Sequence, residues 1–376
     1  MHYFSEYFII IIVNDTVNVN EKMVLVLHII HKANQSFKIL INQVILMKVT
    51  IKDIAREADV SVTTVSRVIN NKPDVGDDTR AKILKIIDEM NYNPNSVARG
   101  LVMQKTHTIG LIIPDISNPF FPQVARAVED KAQKLGYSVI FFNTDNHLER
   151  EKKAVELFKS KQVDGLIVSL SLGNEKILKE LKSTNYPVVQ IDRSVLTDSY
   201  PLVSIDNKNS AYQMVEYMLK KGHRKIAHIS GDLNTTTARE RLEGYKKALK
   251  NYEVEINNDY IIEGDYTQHS GFKAMQRLLK LKDRPSAVFA ANDLSAAGVY
   301  KALFAAGLKI PDDIAVAGHD DIDIASLLRP ELTTMRQPKY SMGERAVTVL
   351  LRMINNQQIE IEDHILKTNL IIRESV

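Results

Sequence analysis

Two groups of residues have the types and spacing to do chemistry. The first is Val62, Thr63, Ser66 and Arg67, which share the outer side of a short helical stretch. One apolar group, two hydroxyls and a guanidinium suit thymine methyls, base edges and phosphates in a DNA major groove. The second group follows short apolar runs: Asn118, Phe120 and Phe121; Asp192 and Arg193; Arg241; Tyr266; Asn292 and Asp293; Asp320 and Asp321; Gln337. Carboxylates, amides, guanidinium forks and aromatic faces suit a polyhydroxylated ring, because each sugar hydroxyl donates and accepts while C–H faces stack on rings. Singly, each has a plainer reading: an Asp-Arg pair as a surface ion pair, Phe-Phe as core, Asn-Asp before a helix as a cap. Their shared position after strands is what groups them.

The first group needs a helix-turn-helix to present it. Thr50 and Asp53 sit as N-cap and first-turn acid, and Ile51, Ile54, Ala55 and Ala58 recur at helical spacing. Asp59-Val60-Ser61 breaks the pattern, and Ser61 caps a second helix that turns Val65, Val68 and Ile69 inward. Asn70 to Asp74 is a turn. Asp78 or Thr79 caps a third helix, with Ile83, Leu84, Ile86, Ile87 and Met90 closing a small core. Pro94 ends this region.

The second group needs strand ends. From Thr106, Ile- and Val-rich runs such as Thr108–Pro114, Gly165–Ser169, Pro187–Ile191, Lys225–Ser230 and Ala287–Ala290 alternate with amphipathic helical stretches. Alternation of this kind predicts parallel sheets with helices on both faces, here two units divided near Asp206. Ligands of such sheets bind beyond the carboxyl ends of the strands.

Composition excludes more than it reveals. Over 376 residues the net charge is only +3, and Met47 to Met103 carries nine Lys/Arg against eight Asp/Glu. Affinity for phosphate must therefore come from placed cations, helix N-termini and a doubled site. With no cysteine there is no disulfide, thiolate nucleophile or cysteine-held zinc. The ten histidines show no HExxH spacing, and no phosphate loop is present. Asp320 and Asp321 are adjacent, so they point apart rather than flank a glycosidic bond. No metal, cofactor or enzymatic activity is expected. No apolar run approaches the roughly 18 residues of a membrane span, and Phe8 to Val13 has no cationic lead as in a secretory signal. The expected location is the cytoplasm.

The line Ala55 to Asn70, AREADVSVTTVSRVIN, and its continuation closely resemble the LacI/GalR (lactose-repressor/galactose-repressor) family of bacterial transcriptional regulators. The resemblance runs from Met47 to the C-terminus. It implies an all-α helix-turn-helix headpiece and a periplasmic-binding-protein-like α/β effector domain of two doubly wound parallel-sheet subdomains. The implied boundaries are 47–94 for the headpiece, 95–105 for a hinge helix and linker, and 106–376 for effector binding and dimerisation. Within the last, one subdomain takes about 106–205 plus 337–360 and the other about 206–336 plus 361–376. Residues 1–46 fit nothing downstream and read as a mis-assigned start or a poorly ordered extension.

What the family does carries over residue by residue. Val62, Thr63 and Arg67 would read bases, while Thr50, Ser61, Thr64, Ser66 and Asn70 would position phosphates. The segment Ser96 to Leu101 matches the hinge helix, with Ala98 against the minor-groove floor and Leu101 as the wedge between base steps. The effector half is similar to periplasmic sugar-binding proteins, and its pattern matches the ribose-binding member at Asn118, Phe120, Phe121, Asp192, Arg193, Arg241, Asn292, Asp320 and Gln337, with Tyr266 replacing phenylalanine. Ribose or a similar pentose is the effector this implies. A purine is the alternative, because a purine-repressor branch shares the Gly-Asp-aromatic at 264–266. His319 stands where the family usually has tyrosine or phenylalanine. The partners implied are near-palindromic operator DNA, a small-molecule sugar and a second copy of the chain. No heptad repeat follows Thr368–Ile372, so a dimer is expected rather than a coiled-coil tetramer.

Overall fold

The computed structural model describes residues 49–92, 105–195, 200–358 and 364–376. Residues 1–46 and the expected hinge helix, with Ala98 and Leu101, lie outside the described residues. The chain divides next to residue 100 into two compact units.

The first unit holds three helices: α1 (Ile51–Ala58), α2 (Val62–Ile69) and α3 (Asp77–Glu89). The Asp53 carboxylate accepts from the Thr50 N–H at 3.0 Å and from its hydroxyl at 2.6 Å, closing the first turn of α1. Asp59 takes the left-handed conformation (φ +54°) that stops α1, and the Ser61 hydroxyl then caps α2 by accepting the Thr64 N–H at 3.1 Å. Ile54, Ala58, Val65, Val68, Ile83 and Ile86 form the core. Two expectations for α3 need correction. Gly76 is its N-cap, with Asp77 and Asp78 in the first turn. Leu84 is 49% exposed, because a 3.6-residue period that turns Ile83, Ile86 and Ile87 inward rotates position 84 outward.

The second unit has two lobes. The first lobe is built on β1 (Thr108–Ile113), β2 (Ser138–Asn143), β3 (Gly165–Val168), β4 (Val188–Ile191) and β5 (Leu202–Ile205), with α4 (Phe120–Lys134), α5 (Leu148–Ser160) and α6 (Glu175–Ser183) between them. The second follows from α7 (Asn207–Lys220) through β6 (Ile226–Ser230), α8 (Thr236–Asn251), β7 (Ile261–Glu263), α9 (Gln268–Leu278), β8 (Ala287–Ala290), α10 (Asp293–Ala305), β9 (Ala315–Ala317) and α11 (Ile324–Leu327). The chain returns through β10 (Thr334–Arg336) to α12 (Lys339–Ile354), which packs on α4 in the first lobe, and ends in β11 (His364–Leu366) and β12 (Asn369–Ile371).

Sheet order is β11-β5-β4-β3-β1-β2 in the first lobe and β7-β6-β8-β9 in the second, every pair parallel. The central strands are buried on both faces, which is why they read as continuous apolar runs. Each sheet reverses its order of winding beside its first strand, and at that point the helices diverge and leave a crevice. One boundary shifts: β11 pairs with β5, so the return to the second lobe comes after Leu366 and not at 361. Only then does β12 pair antiparallel with β10. Asp321 anchors this tail, accepting from Arg336 Nε at 2.6 Å and from an Arg373 guanidinium N–H at 2.7 Å.

Candidate functional site

In the first unit, α2 exposes one face by the same periodicity that buries Val65 and Val68. Val62, Thr63 and Arg67 are exposed; Thr64, Ser66 and Asn70 are half-buried. Arg67 lies 3.2 Å from the Asp74 carboxylate in the turn after α2. The Asn70 amide nitrogen is bonded to the Ser66 carbonyl at 2.9 Å and to its hydroxyl at 3.3 Å. The face is thus pre-shaped by short-range bonds, with one guanidinium held by a pair that solvent screens.

In the second unit, nine of the ten expected ligand residues line one cleft of about 440 Å³, partly open to solvent: Asn118, Phe120, Phe121, Asp192, Arg193, Arg241, Tyr266, Asp320 and Gln337. Both lobes contribute, each from the carboxyl ends of its strands. Asn118 accepts the Phe120 N–H at 3.1 Å and starts α4, and Phe120 and Phe121 meet edge to face with centroids 5.0 Å apart. Asp192, at φ +66°, follows β4. Tyr266, at φ +68°, follows β7, and its hydroxyl sits 3.1 Å from the Thr235 hydroxyl and 2.9 Å from that of Thr237. Its ring covers Gly231, where a Cβ would stand 2.0 Å from Tyr266 Cζ. Only glycine leaves room for that aromatic wall.

The charges are buried and mutually compensated. Arg193 lies 3.6 Å from the Asp192 carboxylate and donates to Asn146 Oδ1 at 2.6 Å. Arg241 donates to Asn207 Oδ1 at 3.0 Å and to the Ala291 carbonyl at 2.6 Å, with one nitrogen 3.9 Å from Asp320. Gln337 Nε2 donates to Asp320 Oδ1 at 2.7 Å. The Arg193 Nε and Gln337 Oε1 atoms are buried without a hydrogen-bond partner, and an unsatisfied donor and acceptor at a cleft are groups that a polar ligand satisfies. Burial pushes Asp192 up to about 6, against the opposing pull of Arg193 and Arg241. Asp293, behind the wall, is pushed well above the carboxylate range by burial, with Asp320 nearby adding to it.

Asn292 is the exception. Its Oδ1 accepts the Ser295 N–H at 2.9 Å as the cap of α10, and its Nδ2 donates to the Tyr266 carbonyl at 3.0 Å. It stands behind the wall, in the capping role that the plainer reading gave it. Pro114, Asp115, Asn146, Thr237 and Asp265 also line the cleft and were missed. Asp115, Asn146 and Asp265 follow strands, so the strand-end rule could have found them. Thr237 lies in the first turn of α8, where no sequence pattern marks it. Among the described residues no group of acids and histidines could hold a metal ion, and no helix is long and apolar enough to cross a membrane.

Comparison with known proteins decides the family. Residues 50–95 match the bacterial regulatory proteins of the lacI family, and residues 106–374 match the periplasmic binding proteins and sugar binding domain of that family. The chain belongs to the LacI family. Catabolite control protein A of Priestia megaterium is 39% identical to this LacI-family chain over 315 residues, 84% of this chain and 95% of that protein. The ribose operon repressor of Halalkalibacterium halodurans is 39% identical, covering 87% and 96%. The transcriptional repressor PurR of Photobacterium profundum is 37% identical, covering 87% and 98%. The crystal structure of the lac repressor dimer bound to operator and the anti-inducer ONPF superposes with a TM-score of 0.79 at 30% identity, covering 87% and 98%. This LacI-family protein is a DNA-binding transcriptional repressor and not an enzyme.

Proposed function

We propose that this repressor acts as a homodimer on a near-palindromic operator in the cytoplasm, and that ribose or a similar pentose controls it. Each headpiece reads one half-site through Val62, Thr63 and Arg67, with Thr50, Ser61, Thr64, Ser66 and Asn70 placing it on the phosphates. A sugar in the cleft changes the closure of the two lobes, and with it the spacing of the paired hinge segments carrying Ala98 and Leu101. A coupling of about 1–3 kcal/mol is typical of such systems.

The observation that carries the effector assignment is the convergence of Asp192, Arg193, Arg241, Asp320 and Gln337 with the rings of Phe120, Phe121 and Tyr266 on one cleft. Two carboxylates and two guanidiniums supply paired acceptors and donors for vicinal hydroxyls, and the rings take the C–H faces. A purine effector is the second reading, favoured by the similarity to PurR and by an aromatic ring at position 266. Calorimetric titration of the full chain with D-ribose, other pentoses, hexoses, hypoxanthine and guanine separates the two. Micromolar ribose binding with silent purines supports the proposal; binding of purines alone overturns it.

A further inference from the structure

Behind the cleft wall, three buried side chains form a hydrogen-bonded line. Ser210 Oγ lies 2.8 Å from His319 Nε2, and His319 Nδ1 lies 3.2 Å from Asp320 Oδ1. Ser210 and His319 have no exposed surface, whereas Asp320 faces the cleft. The protons follow from chemistry. Gln337 Nε2 and an Arg241 guanidinium nitrogen also face Asp320 Oδ1, which marks that oxygen as an acceptor; the ring nitrogen beside it therefore carries the hydrogen, and Nε2 accepts from the Ser210 hydroxyl. Burial, helped by the nearby Arg241 guanidinium, pushes the imidazole down to about 4, which keeps the ring neutral at ordinary pH.

Serine, histidine and aspartate in this order resemble a hydrolytic triad, but the direction is reversed. A hydrolase turns its serine to the substrate and buries its carboxylate. Here the serine is the sealed end and the carboxylate is the open one. We infer that His319 is a positioning residue: its Nδ1–H, oriented by Ser210, aims the Asp320 carboxylate at the bound ligand. This rests on the sugar-binding reading of the cleft. The backbone needs such a hold. Asp320 sits at φ +112°, a region L residues rarely occupy, and is pinned by its own N–H to the Met335 carbonyl at 2.9 Å and by Lys339 Nζ to its carbonyl at 2.6 Å. Asp293 N–H fixes the His319 carbonyl at 2.8 Å. The line also reaches two of the places where the chain passes between lobes, since Ser210 is in the first turn of α7 and Asp320 accepts from Gln337, which precedes α12.

Nitrogen-15 NMR of the full ligand-free chain, with D-ribose titrations of variants, tests this. His319 should show the Nδ1–H tautomer, and Ser210→Ala should shift it toward a mixture. His319→Phe keeps a flat ring and loses both bonds, so in the folded variant ribose affinity should fall about tenfold or more. His319→Asn, which restores an N–H near the Nδ1 position, should recover most of that loss. An Nε2–H tautomer in the wild type, or wild-type ribose affinity in a folded His319→Phe chain, overturns the inference. If His319→Phe does not fold, unchanged ribose affinity in Ser210→Ala overturns it instead. If the wild type binds no ribose, the sugar reading falls, and the tautomer alone still decides the contact to Asp320.

Discussion

The Leu172 N–H donates to the Asn234 carbonyl at 3.0 Å, joining the loop after β3 in one lobe to the turn before α8 in the other. Beside it the Ser194 N–H donates to Thr236 Oγ1 at 3.2 Å. Ile322, from the second lobe, is buried within the apolar core of the first. The lobes are therefore held together by specific bonds next to the cleft, which stabilise this arrangement of the two.

Thr236→Val removes one of these bonds without changing side-chain volume. The Ser194 N–H then prefers water, which favours separation of the lobes. A net loss of about 0.5–1.5 kcal/mol is typical for one such bond, so effector affinity should fall by a factor of about two to ten. Small-angle scattering of the ligand-free variant should show a larger radius of gyration. Unchanged scattering and affinity would mean the bond does not contribute to closure.

Binding should depend on pH through Asp192. A carboxyl raised to about 6 binds more protons folded than unfolded between its ordinary value near 4 and that point. Its contribution to stability is full below about pH 4 and is lost as pH rises through about 6. Hydroxyl donors favour the ionised form, so the effector should bind more tightly as pH rises from 5 to 7 and should release protons on binding near pH 6. Titration calorimetry in buffers of different ionisation enthalpy measures that release, and proton uptake would reverse the assignment. Asp192→Asn should flatten the profile.

Gly231→Ala places a methyl group inside the space of the Tyr266 ring, 2.0 Å from Cζ. The ring must leave, taking its bonds to Thr235 and Thr237 with it. Overpacking of this kind costs about 1–3 kcal/mol, seen as a lower melting temperature, and ligand affinity should drop about tenfold. Adding Tyr266→Ala should restore the melting temperature but not the affinity. If affinity survives Gly231→Ala, Tyr266 is not a working wall of the site.

Operator binding should respond oppositely to the two partners of one ion pair. Arg67 and Asp74 are both about half exposed, and such pairs contribute about 0–1 kcal/mol. Releasing Arg67 to DNA therefore costs little. Arg67→Ala should abolish the shift of operator DNA in a gel assay, while Asp74→Ala should leave it intact or strengthen it a few-fold. The logarithm of affinity should fall linearly with the logarithm of salt concentration. Equal loss in both variants would point to the pair as structural.

What lay open in the sequence were features set by local periodicity and by residue type. The 3.6-residue spacing of Ile51, Ile54, Ala55 and Ala58 defines α1 without reference to the rest of the chain, and apolar runs such as Gly165–Val168 mark strands that must be buried on both faces. Ligands of parallel sheets bind beyond the carboxyl ends of the strands, so the sequence marks Asn118, Asp192 and Tyr266 as neighbours. The remaining features depend on partners far apart in the chain. Asn292 turned out to cap α10 and hold the Tyr266 carbonyl, Thr237 reached the cleft because α8 begins beside it, and β11 joined the first sheet because its partner is β5. The line from Ser210 to His319 spans 109 positions, and no local pattern encodes which way a buried imidazole turns its proton.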